Sequence, residues 1–144
     1  MKQLHKFLCL PQSKKNLLII CFLSLIFIKI CLFFLRFNII EKIIAKTAGG
    51  LRFKKAFSVE DINWVVSVLS RHLPFAVTCL PRSLAVQFLL KLNGDDSNVC
   101  IGITKNNENK LEAHAWVESK GIVVTGDKNL ARYIPLVSSK EINS

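Results

Sequence analysis

Cys79, His114 and Asp127 are the side chains whose types and spacing could carry nucleophilic chemistry. A thiol becomes a nucleophile when its surroundings favour the anion and a base manages its proton. Cys79 stands in the run Thr78-Cys79-Leu80-Pro81-Arg82-Ser83-Leu84-Ala85. Proline is best tolerated at the start of a helix, so the run predicts a helix from about Pro81 with Leu80 as its N-cap. Cys79 then lies just outside the positive end of the helix dipole, where negative charge is favoured. The competing reading is a buried structural cysteine, since free Cys usually packs as a small hydrophobe.

A base could come from a hairpin. Leu111 to Glu118 alternates, with Glu112, His114, Trp116 and Glu118 on one face and Ala113, Ala115 and Val117 on the other. Lys120-Gly121 suits a two-residue type I′ loop leading into Ile122-Val123-Val124-Thr125. An unbroken ladder from that loop pairs Ser119 with Ile122 and Val117 with Val124, and so brings His114 opposite Asp127. Direct cross-strand neighbours have Cβ atoms about 5 Å apart, close enough for a carboxylate to fix an imidazole's tautomer. A slip of one residue would separate them to opposite faces. Taken singly, His114 also reads as a half-exposed strand histidine and Asp127 as a solvated turn residue. Trp116 suits either a wall of the site or a core position.

The elements that must position these residues follow from periodicity. Residues 38–57 continue apolar and basic at helical spacing and break at Gly49-Gly50. Ser58 with Asp61 resembles a capping box, and Ile62, Val65, Val66, Leu69 and Leu73 mark one buried helical face. Pro74 stops that helix. The helix after Cys79 runs to about Lys91, with Leu84, Phe88, Leu89 and Leu92 on its apolar face and Asn93-Gly94 at its end. Two or three strands follow, beginning with Val99 to Thr104 and a polar turn over 105–110. Helices followed by antiparallel strands indicate an α+β domain.

The chain divides into a basic, apolar helical segment over 1–57 and a domain over 58–144. Residues 1–55 carry eleven of the twenty Lys/Arg and one of the ten acids, so the net charge of +10 resides there and the remainder is neutral. That distribution argues against a nucleic-acid groove and for an acidic membrane surface or acidic protein partner. Leu17 to Leu35 is nineteen residues with a single charge, Lys29. As a helix it is about 28 Å long, close to the hydrocarbon thickness of a bilayer. Membrane association through 17–35 is therefore expected alongside a second reading, a long helix packed on its own domain. Five cysteines without a C-x-x-C pair support neither a zinc site nor a disulfide framework, and a working free thiol needs a reducing compartment such as the cytosol.

With these residues in view the chain resembles the transglutaminase-like leader peptidases of lasso-peptide biosynthesis. The resemblance rests on Cys79-Leu80-Pro81-Arg82-Ser83-Leu84-Ala85, Ile101-Gly102-Ile103, His114-Ala115-Trp116-Val117-Glu118 and Gly126-Asp127, and covers about 58–136. It implies a papain/transglutaminase-like α+β fold with N-terminal helices, a small antiparallel sheet and a preceding hydrophobic helix. It implies Cys79 as nucleophile, His114 as general base and then acid, and Asp127 as orienting carboxylate, with no metal and no cofactor. The implied partners are a precursor peptide, a separate leader-recognition protein and an ATP-dependent macrolactam cyclase, at a cytoplasmic catalytic domain. The contrasting expectation is a non-catalytic, membrane-associated binding or scaffold protein that keeps the fold.

Overall fold

Four helices precede a four-stranded antiparallel sheet in the computed structural model, which describes residues 11–51, 56–74, 76–126 and 129–138. Helix α1 spans Gln12–Phe34 and α2 spans Phe37–Gly50. Leu17, Leu18, Cys21, Leu25, Ile28 and Cys31 line the buried side of α1, and Ile40, Ile44 and Ala48 that of α2. Helix α3 spans Val59–His72, and its N-cap Ser58 accepts from the Asp61 amide at 3.1 Å, as the capping pattern predicts. Ile62, Val65 and Val66 are fully buried, while Leu69 and Leu73 pack at the edge of the same core.

Helix α4, Cys79–Leu92, is the centre of the molecule, with α1, α2 and α3 against it on one side and the sheet on the other. The single apolar face expected for it is too narrow. Leu84, Ala85, Val86, Leu89, Leu90 and Leu92 are buried around its circumference, as a helix enclosed on all sides requires. Gln87 is also fully buried and donates from Nε2 to Glu41 Oε2 at 3.1 Å. Burial pushes the Glu41 carboxyl above the usual range, partly opposed by that hydrogen bond and by the charge of Lys91. The helix ends at Asn93 and Gly94, the latter with φ of 86°.

The sheet runs β3-β2-β1-β4, built from β1 (Asn98–Lys105), β2 (Leu111–Ser119), β3 (Ile122–Thr125) and β4 (Ile134–Ser138). The fourth strand lies beyond the two or three read from the pattern. It pairs with β1 at the sheet edge with only five residues, of which Pro135 breaks the apolar run. Val99 and Val117 bury their side chains among the helices, while Cys100, Trp116 and Tyr133 form a second small cluster. Trp116 is thus a core residue, its indole N–H donating to Glu118 Oε1 at 2.9 Å.

The hairpin loop is Lys120-Gly121, with φ of 52° and 78°, the two left-handed conformations of a type I′ turn. Ser119 pairs with Ile122 and Glu118 with Val123, as predicted, but Val117 then pairs with Thr125 instead of Val124. Val124 is the extra residue of a bulge. Its side chain reaches the helical core and its carbonyl accepts from Asn63 Nδ2 of α3 at 2.8 Å, so the helix layer satisfies what the ladder gives up. The unbroken ladder that would put His114 opposite Asp127 therefore does not form, and Asp127 itself lies outside the described residues.

Candidate active site

Cys79 is the first residue of α4, and Thr78, not Leu80, is the N-cap. The shift has a simple cause. Any of the first few helical positions tolerates proline because their amides have no preceding turn to donate to, so Pro81 sits comfortably as the third residue. The change brings Cys79 into the first turn, at the positive end of the dipole. The Arg82 amide closes that turn on Thr78 O at 3.3 Å. Arg82 Nη2 donates to Ser67 Oγ at 2.7 Å, tying the start of α4 to α3.

Of the four described cysteines only Cys79 is not buried. Burial pushes the Cys21 thiol up to about 12 and also raises Cys31, so neither is equipped to react.

His114 stands on β2 opposite Gly102 of β1. A β-carbon at Gly102 would meet the Trp116 ring and the Ile134 carbonyl at 3.0 Å, so the missing side chain lets the cluster beside His114 close up. Tyr133 follows a 3₁₀ turn at Leu130–Arg132 and is nearly buried. Its ring stacks on the imidazole with centroids 5.3 Å apart and planes at 30°. The Tyr133 hydroxyl accepts from Arg132 Nη2 at 2.9 Å and donates to Glu112 Oε1 at 3.4 Å. Trp116 packs behind the same ring at 6.4 Å. One side of the imidazole is thereby covered by an aromatic that is itself held at its hydroxyl by Arg132 and Glu112.

Cys79 and His114 line one cavity of about 330 Å³, together with Val77, Arg82, Ser83, Glu112, Ala115, Thr125, Gly126 and Tyr133. A contact between helix and sheet holds the two walls in place. Ser83, one turn after Cys79, donates from Oγ to the carbonyl of Ala115, the residue after His114, at 3.1 Å, and both are buried. At the far end Gly126 has φ of 143°, and a β-carbon there would lie 2.6 Å from Trp116 Cβ. Only glycine lets the chain leave β3 so close to the tryptophan.

The structure thus brings two of the three expected site residues to one pocket. Ser83, Glu112, Gly126 and Tyr133 also build it without having been assigned a part from the sequence. Ser83 lies four residues beyond Cys79, and Glu112 two before His114, so helical and strand spacing carried a signal for both. Tyr133 carried none, because it arrives through an irregular turn. Among the described residues no group of three His, Cys, Asp or Glu side chains could hold a metal ion.

A cysteine opening the central helix, facing a histidine on an antiparallel sheet, is an arrangement suited to acyl transfer through a thioester. No match to the chain was found among curated proteins or among solved structures. The family model of the Transglutaminase-like superfamily matches residues 25–138, from within α1 to the end of β4, and on this fold and this match the chain belongs to the transglutaminase-like superfamily.

Proposed function

We propose that the protein is a cysteine peptidase that removes the leader from a ribosomally made lasso-peptide precursor. The superfamily includes cysteine peptidases and transglutaminases, and the observation that carries the narrower reading is the shared cavity of Cys79 and His114 at the start of α4. The sequence run around Cys79 and the His114-Ala115-Trp116 run add the resemblance to leader peptidases.

The Cys79 thiolate attacks the scissile carbonyl and forms a C–S bond. The amide of Cys79, in the first helical turn, donates to the resulting oxyanion. His114 gives its proton to the leaving amine as the C–N bond breaks, which frees the mature N-terminus. Water, its proton taken by His114, then cleaves the thioester and releases the leader as a carboxylic acid. Asp127 is the carboxylate proposed to orient His114. A separate recognition protein delivers the leader, and an ATP-dependent cyclase consumes the freed amine.

The test is leader removal in a reconstituted mixture of precursor, recognition protein and this chain. Cys79→Ala, folded by circular dichroism, abolishes cleavage on this reading. Cleavage retained by that variant would remove it.

A further inference from the structure

The outer side of α1 is apolar and, among the described residues, uncovered. Ile19, Phe22, Leu23, Phe27, Ile30, Phe33 and Phe34 recur at helical spacing along it and are exposed, Phe33 by 82%. Isolated exposed apolar residues need no explanation, but a continuous stripe of this length does. The opposite side of the same helix supplies Leu17, Leu25 and Ile28 to the core. Lys14 pairs with Asp61 at 2.8 Å and Lys29 donates to the Ala76 carbonyl at 2.8 Å, so α1 is fastened lengthwise to its own domain at two points.

α1 is long and apolar enough to cross a bilayer. Crossing would nevertheless withdraw those core residues from α3 and α4. The packed helix instead leaves a one-sided apolar surface. Among the described residues Arg36, Lys42 and Lys46 are exposed beside it, Lys42 and Lys46 at helical spacing from exposed Ile39 on neighbouring α2, and the sequence over 1–55 has a net charge of +10. A second copy of the chain would bring like charges together, and the stripe offers a protein partner no hydrogen-bonding side chain. An anionic lipid surface matches both the stripe and the charge.

We infer that α1 lies in the plane of an anionic membrane, its Phe-rich stripe in the headgroup region and the catalytic domain still packed upon it. The inference is independent of the leader-peptidase reading, since it uses none of the site residues.

The full chain is sedimented with vesicles of phosphatidylcholine alone and of equal parts phosphatidylcholine and phosphatidylglycerol. Binding to the mixed vesicles, weakened by salt and released by alkaline carbonate, is the expected result. Lys42→Glu with Lys46→Glu weakens it by about fivefold per lysine replaced, and by more for the reversal of sign. Ile30→Glu with Phe33→Glu, both at exposed positions, abolishes it with helicity retained. Equal or absent binding to the two vesicle types overturns the inference. So does resistance to alkaline extraction, which marks a span, or a solution dimer that the Ile30→Glu, Phe33→Glu variant converts to monomer without any vesicle binding.

Discussion

The Ser83 hydroxyl donates to the Ala115 carbonyl at 3.1 Å, and through it the helix that begins at Cys79 is locked to the strand that carries His114. Ser83 is one turn from the thiol and Ala115 is the next residue to the imidazole. The distance between the two walls of the cavity is therefore set by a buried bond between their immediate neighbours. Ser83→Ala leaves a buried carbonyl without that donor and costs about 1–2 kcal/mol in denaturant unfolding. It also lowers cleavage beyond what the remaining folded fraction explains, which a comparison of rate with folded population checks.

Tyr133 positions His114 by stacking on it. Tyr133→Leu removes the stack and lowers turnover by about ten- to a hundredfold, the range a small misplacement of a catalytic group commands. Tyr133→Phe keeps the ring and restores most of the rate. The rate of Cys79 alkylation at pH 7 falls in the Leu variant and returns in the Phe variant. A merely structural tyrosine would change stability and leave that rate in place.

Glu41 makes stability fall with pH. Its carboxyl is raised by burial, so the folded state holds the proton more tightly than the unfolded chain does. The contribution is complete below the unfolded value of about 4.3 and is lost as pH rises through the higher folded value. Glu41→Gln removes that slope and makes the protein more stable at neutral pH. Urea unfolding at several pH values from acid to neutral measures the difference.

Gly126 cannot carry a side chain. With φ of 143° and Trp116 Cβ at 2.6 Å from any added β-carbon, Gly126→Ala forces either the strand end or the tryptophan to move. A loss of about 1–3 kcal/mol in thermal or urea unfolding is expected. The Trp116 fluorescence maximum shifts with it.

The fold was legible in the sequence to the extent that it rests on local chemistry. Ser58 and Asp61 cap α3, Asn93-Gly94 ends α4, and Lys120-Gly121 turns the hairpin, because each is a property of a few adjacent residues. What escaped depends on the tertiary partner. The bulge at Val124 is satisfied by Asn63, far away in the chain, whose side-chain amide donates to the Val124 carbonyl from the helix layer. The enclosure of α4 on all sides depends on α1 and α2 joining the core. In the site, Cys79 and His114 were picked out by residue type and line one cavity, but the Ser83 bond that ties their elements together and the Tyr133 stack on the ring are made between elements. Periodicity along the chain does not report such contacts.

The central claim is that Cys79 is a nucleophile activated by His114, and the rate of Cys79 alkylation by iodoacetamide at pH 7 tests it most directly. An ordinary thiol is about 3% ionised at that pH, so activation can raise the rate by roughly three- to fourfold after allowing for the weaker nucleophilicity of a more acidic thiol. Peptide mass mapping separates Cys79 from the other cysteines. The account predicts alkylation about threefold faster than glutathione, falling to the glutathione rate in His114→Ala. A Cys79 that reacts no faster than glutathione, or that reacts as fast without His114, would contradict it.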